Sequence, residues 1–503
     1  MSKSTVIIGA GIGGLFCGAM LAKMGLEVTI LEKNTTIGGG LQSFSRFGEV
    51  FDTGMHIIGG MQKGGNIRRI CEWLGIMDKV HIADIGSDTI DEVYVAKERK
   101  FYHTAKGRDR YMASLAASFP DQKENLERYF EAIYRIVGEL DLFALRPSAP
   151  DSLAHSEELT MAADAFIAKY IDNVRLRNLL AYMTPLYSGE RGTTPAYVHA
   201  LISVIYIESP SRFAGGSYRF AETLADFIRE HGGRIVASDG VEKIHTRDKM
   251  ITGVSTRKGQ FYSADLYIGA IHPCSLISLL DDPAALPKSY RTRLSELKNS
   301  FSAFTIYLKL KKNSFRYINH TGYYAKDYEN VWDYGNPEKG WPLGFLYMTP
   351  PELEQGEYAE KMTVVAPMPW EFVRKWEDSK VGRRGQEYAQ WKTEQAEKLL
   401  DCLQEIFPGI RDCIEDMNTA SPLTIRDFYG VKEGAMFGYS KDCNNLIASH
   451  VPVVTKIPNL FLTGQNCNLH GFCGVALTSI KTAEAILGGD SVLNSILEFE
   501  KRH

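Results

Sequence analysis

Residues 1–32 carry the feature that most restricts how this chain can fold. The apolar run Val6-Ile7-Ile8 leads directly into Gly9-Ala10-Gly11-Ile12-Gly13-Gly14. Such a run reads as a parallel strand buried on both faces, and the glycines at 9, 11 and 14 match the G-x-G-x-x-G of a strand-to-helix turn. Helix formers from Leu15 to Met24 predict a helix, Gly18 is small enough to lie close on a sheet, and Gly25 falls where the helix should stop. A second strand is predicted over Glu27-Val28-Thr29-Ile30-Leu31, ending at Glu32, 18 residues past Gly14. Each part has a physical task. Gly9 makes the tight turn, Gly11 lets backbone approach a pyrophosphate, and Gly14 lets helix and strand pack closely. The helix N-terminus, with Ile12 and Gly13, offers free N–H groups and a positive dipole end. Glu32 would accept hydrogen bonds from an adenosine ribose and repel a 2′-phosphate. The expectation is a dinucleotide on a doubly wound α/β sheet.

Further glycines narrow the choice of dinucleotide. Lys33 follows the acid, Gly38-Gly39-Gly40-Leu41 forms a second cluster, and Arg46-Phe47-Gly48 precedes Asp52-Thr53-Gly54-Met55. Near the other end, Leu460-Phe461-Leu462-Thr463-Gly464 reads as a short strand and a glycine, and Gly471-Phe472-Cys473-Gly474-Val475 opens a helix. This pairing resembles flavoproteins of the amine oxidase and phytoene desaturase superfamily. The resemblance implies FAD and an α/β fold, with an FAD-binding Rossmann-like domain carrying an inserted α+β substrate domain. It also implies cofactor contacts from Gly9, Gly11, Ile12, Gly13, Gly14, Glu32, Lys33, Gly38, Gly39, Gly40, Leu41, Thr53, Gly54, Met55, Gly464, Gly474 and Val475, with Val241 as a backbone contact to adenine.

The middle of the chain fits two units. Strands predicted at residues 233–236, 241–244, 251–254 and 264–270 complete the nucleotide domain, which is expected to comprise 1–70, 211–275 and 420–492. Residues 71–210 and 276–419 differ in texture, with aromatic-rich strands such as Phe304-Thr305-Ile306-Tyr307-Leu308 and amphipathic helices. They are expected to form the substrate domain. One helix is predicted to start at Thr160 and to place Phe166, Tyr170 and Val174 on one face.

Composition excludes other classes. With 503 residues and a net charge of −4, there is no basic stripe to suggest a nucleic-acid partner. The eight cysteines show no CxxC and no paired metal spacing, so neither a disulfide framework nor a metal site is expected. No signal peptide or spanning segment is read, which predicts a cytoplasmic chain and leaves contact with a membrane surface open.

A narrower family comes into view from Asp52-Thr53-Gly54-Met55-His56, Ser421-Pro422-Leu423-Thr424, Glu433-Gly434-Ala435-Met436-Phe437-Gly438 and Thr463-Gly464-Gln465-Asn466. These stretches resemble the retinol saturase and carotenoid isomerase branch of the phytoene desaturase family. That resemblance implies saturation, desaturation or isomerisation of a long apolar polyene. Two departures stand out: Asn466 occupies a place where relatives often carry an acid, and Gly38 to Gly40 leave no Arg or Cys where relatives often have one. His56 and His470 are the candidate proton carriers, with pKa values expected near neutrality. Tyr182, Tyr187, Tyr206, Tyr323, Tyr324, Trp332 and Tyr347 are candidates for an apolar tunnel, although core packing accounts for most of them. The electron donor or acceptor stays open. An amine oxidase and a non-catalytic lipid carrier of the same architecture are the competing readings.

Overall fold

The computed structural model of the protein describes residues 3–86, 88–147 and 156–503. Its organising element is a five-stranded parallel sheet built from β1 (Ser4–Ile8), β2 (Glu27–Leu31), β3 (Arg234–Val236), β4 (Leu266–Gly269) and β5 (Leu460–Leu462). In space the order is β5-β4-β1-β2-β3, so the strand order reverses beside β1, where a crevice opens at the C-terminal ends. Val6, Ile7 and Ile8 of β1 are buried because both faces are covered. On one face lie α1 (Ile12–Lys23), α2 (Tyr218–Glu230) and α3 (Gly471–Leu487), packed around Ile7 and Ile30. On the other, Val6, Ile8 and Leu31 meet an antiparallel three-stranded layer through Val241, Ile244 and Val254. A Cβ on Gly18 would come within 2.9 Å of Ile30 Cδ1, so α1 sits as close to the sheet as expected. Gly25 stops the helix region with φ +87°.

A second sheet has seven strands, in the order Ile414–Ala420, Ser302–Leu310, Lys361–Met368, Gly344–Met348, Thr321–Ala325, Asp91–Val95 and Lys100–Thr104. Pairing is antiparallel except between Asp91–Val95 and Thr321–Ala325. The helix Gly385–Ile406 packs on one face through Leu399, Leu400 and Leu403, against Phe304, Ile306 and Leu308. The other face supports a helical layer that includes Lys123–Gly138 and Ala196–Glu208.

The helix predicted from Thr160 is interrupted. The chain makes a 3-10 turn at Glu157–Thr160, a helix at Ala163–Tyr170, and a new helix at Val174–Leu180. Asn173 causes the break, since its side chain accepts the Leu176 N–H at 3.1 Å and caps the new helix. Phe166 is buried, but Val174 is 58% exposed. No helix of the described residues is long and apolar enough to cross a membrane.

Candidate active site

At the end of β1 the glycines divide into two kinds. A Cβ on Gly14 would lie 2.0 Å from the Gly9 carbonyl oxygen, and one on Gly13 would lie 2.9 Å from Gly464 Cα. These positions are glycine because protein backbone fills the space. A Cβ on Gly11 would find nothing nearer than Gly39 Cα at 4.0 Å, and one on Gly464 nothing within 4 Å. Those two face open cleft, a cradle that side chains would fill. Gly9 (φ +104°) and Gly464 (φ +96°) also adopt backbone that favours glycine.

Glu32 ties the turn together. Its Oε2 accepts the Ala10 N–H and its Oε1 the Asn34 N–H, each at 2.8 Å. The second glycine cluster packs on the first, with the Gly38 N–H donating to Ala10 O at 2.7 Å. Asp52 serves the scaffold: its Oδ1 accepts the Ser43 hydroxyl at 2.6 Å and the Ser217 N–H at 2.8 Å, joining the Ser43–Asp52 hairpin to the start of α2. The next residue, Thr53, receives the Tyr429 hydroxyl on Oγ1 at 2.9 Å.

Around these groups lies a cleft of about 1880 Å³, its open mouth included. It brings together Gly9, Gly11, Ile12, Gly13, Glu32, Lys33, Gly39, Gly40, Thr53, Gly54, Met55, His56, Val241, Gly464 and Val475 of the expected residues. Gly14, Gly38 and Leu41 lie outside its wall, and Leu41 is fully buried. Gly474 lines an adjoining chamber instead. The first turns of α1 and α3 both reach the cleft, neither with a side-chain cap, so two helix N-termini and their positive dipole ends converge there. Asn466 also lines the cleft, where its Oδ1 accepts the Tyr439 N–H at 3.2 Å.

The adjoining chamber encloses about 1000 Å³ with its opening. It shares Gly54, Met55, His56, Met436, Phe437 and Gly471 with the cleft, so the two spaces meet at that wall. One side is the helix Ala196–Glu208, which contributes Val198, Leu201, Ile202, Ile205 and Tyr206. Among the described residues, no Asp, Glu, Lys or Arg lines the chamber. Its polar side chains are His56, His470, Tyr206 and Cys473, and two of these are engaged: Tyr206 donates to Ile57 O at 3.3 Å and Cys473 Sγ to Asn66 Oδ1 at 3.5 Å.

Sequence reasoning found the two histidines but not this helical side. Residues 198, 201, 202 and 205 follow the i, i+3, i+4, i+7 spacing that any core-facing helix shows. Of the seven aromatic residues expected along a tunnel, Tyr206 alone lines the chamber. Tyr182, Tyr187, Tyr323 and Trp332 are packed in the core beside it, and Tyr324 and Tyr347 lie in the cluster on the far face of the sheet.

The expected titration of the histidines near neutrality is overturned by their burial. Burial, then the Arg212 charge, pushes His56 down to about 4. Burial, then Lys441, pushes His470 down to about 3. Both imidazoles are therefore neutral at pH 7. Among the described residues His470 Nε2 has no hydrogen-bond partner, and its ring lies 5.2 Å from that of Phe437.

Comparison with known proteins agrees with this geometry. Residues 7–74 match the family described as NAD(P)-binding Rossmann-like domain. The all-trans-retinol 13,14-reductase of Danio rerio is 26% identical, over 98% of this chain and 86% of its own length. The 4,4'-diapophytoene desaturase of Staphylococcus haemolyticus is 24% identical over 96% of this chain and 98% of its own. This chain is a homologue of those enzymes. Prolycopene isomerase 1 of an Oncidium hybrid cultivar, 22% identical over 96% of this chain and 83% of its own, belongs to the same set of relatives. Among solved structures, an oxidoreductase from Methanosarcina mazei superposes with a TM-score of 0.66 at 18% identity, covering 96% of this chain and all of the other. Putrescine oxidase bound to putrescine gives 0.64 at 13% identity, covering 97% of this chain and 99% of its own. Both share the fold, which is the Rossmann-like α/β architecture expected from the sequence.

Proposed function

We propose that this chain is an FAD-dependent oxidoreductase that saturates, desaturates or isomerises carbon–carbon double bonds of a long apolar polyene. The observation that carries the reading is the uncharged chamber meeting the dinucleotide cleft at Gly54, Met55 and His56. The names of the relatives, an all-trans-retinol 13,14-reductase, a 4,4'-diapophytoene desaturase and a prolycopene isomerase, point the same way. An amine substrate fits less well. It enters as a cation near neutral pH, and the described residues of the chamber wall include no carboxylate to receive one.

The residues suit FAD. The open faces of Gly11 and Gly464 and the uncapped starts of α1 and α3 would hold the pyrophosphate, Glu32 the adenosine ribose, and Val241 the adenine. Thr53, Gly54, Met55 and Val475 would lie toward the ring, beside the chamber. FAD, when bound, supplies hydride or electron transfer. The protein supplies a dry wall, orientation and a proton carrier. We assign that role to His56 or His470: each lines the chamber as a neutral ring whose free nitrogen can accept the proton that desaturation releases, and in the saturating direction the ring first takes a proton from solvent and then passes it to the substrate carbon. We further propose that residues 1–70, 211–275 and 420–492 act as the cofactor unit and 71–210 and 276–419 as the substrate unit, with apolar substrate drawn from a membrane surface.

The test is anaerobic. Reduced flavin is offered polyenes and retinoids, oxidised flavin is offered the same panel and amines, and the compound that reoxidises the one or reduces the other is identified by its product. Reoxidation by polyenes supports the reading. A chain that stays colourless after reconstitution with FAD, or one that responds to amines alone, overturns it.

A further inference from the structure

The turn Arg426–Gly430 contributes Phe428, Tyr429 and Gly430 to the wall of the dinucleotide cleft, yet none of its five residues is buried. Hydrogen bonds hold it in place of apolar packing. On its inner side, Lys33 Nζ donates to Asp427 O at 3.0 Å and Asn34 Nδ2 to Phe428 O at 2.9 Å. Ser275 Oγ donates to Gly430 O at 3.0 Å, and the Tyr429 hydroxyl donates to Thr53 Oγ1 at 2.9 Å. Lys33 and Asn34 follow Glu32 on one segment of the cleft wall, and Thr53 precedes Gly54, Met55 and His56 on the segment shared with the chamber. The turn therefore bridges these two segments of the wall.

Its outer side is anchored differently. The Asp427 carboxylate is paired with Arg384, whose side chain is 7% exposed, and with Arg426 Nε at 2.8 Å. Arg426 Nη1 also donates to Glu377 O at 2.6 Å. A buried charge pair is costly to break, whereas single hydrogen bonds beside a cleft exchange readily for water. The turn is π-helical, with an i→i+5 geometry that recurs at functional positions. Without buried side chains, its inner edge opens at small cost.

We propose that Arg426–Gly430 is a clasp over the dinucleotide cleft, swinging on the Asp427–Arg384 pair to admit and release the cofactor, with its four inner hydrogen bonds setting the exchange rate. The inference rests on the flavin reading above. It is tested on the full chain with Asn34→Ala/Ser275→Ala and, as the conservative change, Tyr429→Phe. FAD association and dissociation are followed by flavin fluorescence in stopped flow. Each lost bond should raise both rate constants by roughly 2- to 10-fold while Kd moves by less than about 2-fold. Hydrogen exchange at residues 428–430 of the unloaded chain should accelerate in the same variants. Dissociation rising alone, with Kd rising equally, would show a direct ligand contact and overturn the clasp, as would unchanged rates and unchanged exchange. Failure of the unmodified chain to load FAD sinks the flavin reading and this inference together, whereas loading with unaltered rates sinks the clasp alone.

Discussion

Glu32 braces the glycine-rich turn from the neighbouring strand, its Oε2 accepting the Ala10 N–H at 2.8 Å while its Oε1 holds Asn34. One carboxylate thus fixes both the turn that would face the pyrophosphate and the start of the loop that reaches the clasp. Glu32→Gln keeps one of these acceptors and converts the other to a donor. A buried N–H left without a partner costs about 1–3 kcal/mol, so both stability and FAD affinity should fall, the latter by roughly 10-fold or more. Denaturant midpoints and flavin titrations check the two effects separately.

Two glycines three residues apart should fail in opposite ways. Gly14→Ala places its methyl 2.0 Å from Gly9 O and should cost about 1–3 kcal/mol of stability through overpacking. Gly11→Ala meets only Gly39 Cα at 4.0 Å and should leave thermal stability almost unchanged while blocking the cleft. Melting curves without cofactor, set beside flavin binding, separate them. Equal destabilisation of both would contradict the division of the glycines.

Replacement of the two chamber histidines tests the proton assignment. His470→Gln or His56→Gln should retain flavin colour and lower the reoxidation rate of reduced enzyme by ~10²- to 10⁴-fold if that imidazole carries the proton. Full turnover in both variants places the proton carrier elsewhere.

The buried histidines also predict acid lability. His56, His199 and His272 are pushed down to about 4 and His470 to about 3, chiefly by burial. In the unfolded chain these rings take up protons below about pH 6.5, so stability is lost as pH falls from there toward 4. Asp91, raised to about 6 by burial, and Glu484, raised to about 7 by burial, act in the opposite direction as they protonate in the folded state. Burial also lowers His450 and raises Glu49 and Asp52, so five rings stand against four carboxyls, leaving a net loss of about 1.4 kcal/mol per pH unit for each unbalanced proton. Urea midpoints at pH 7.5, 6 and 5 should decline; a flat or rising series would show that these groups are not buried neutral.

The nucleotide half was legible because its signals are local. An apolar triplet, glycines at fixed spacing and an acid after the second strand name β1, α1 and β2 within 32 residues, and the same signals located β5 and α3. The chamber was hidden because its wall comes from residues near 54, 143, 186, 201, 346 and 470, which no short window unites. Its helical side carries an apolar stripe identical in pattern to core, so only packing reveals that Leu201 and Ile202 face a cavity and Tyr182 does not. The low basicity of His56 and His470 is likewise tertiary, since it comes from burial and from Arg212 and Lys441, distant in sequence. By contrast, the helix break after Tyr170 was missed although Asp172-Asn173 carry a local signal for it, residue types that favour caps over helix interiors.

The order in which the parallel sheet acquires its strands has a consequence for biosynthesis. β1 and β2 emerge first, but β1 must wait for β4, and β4 for β5, whose Leu460–Leu462 is made last. Such long-range closure is slow and leaves open strand edges exposed in the meantime. On the proposed reading, in which Gly464 cradles the dinucleotide, cofactor capture would report on a nearly finished polypeptide, and a chain cut short before residue 460 would be born without that half of the cleft, whatever the quality of its first 32 residues.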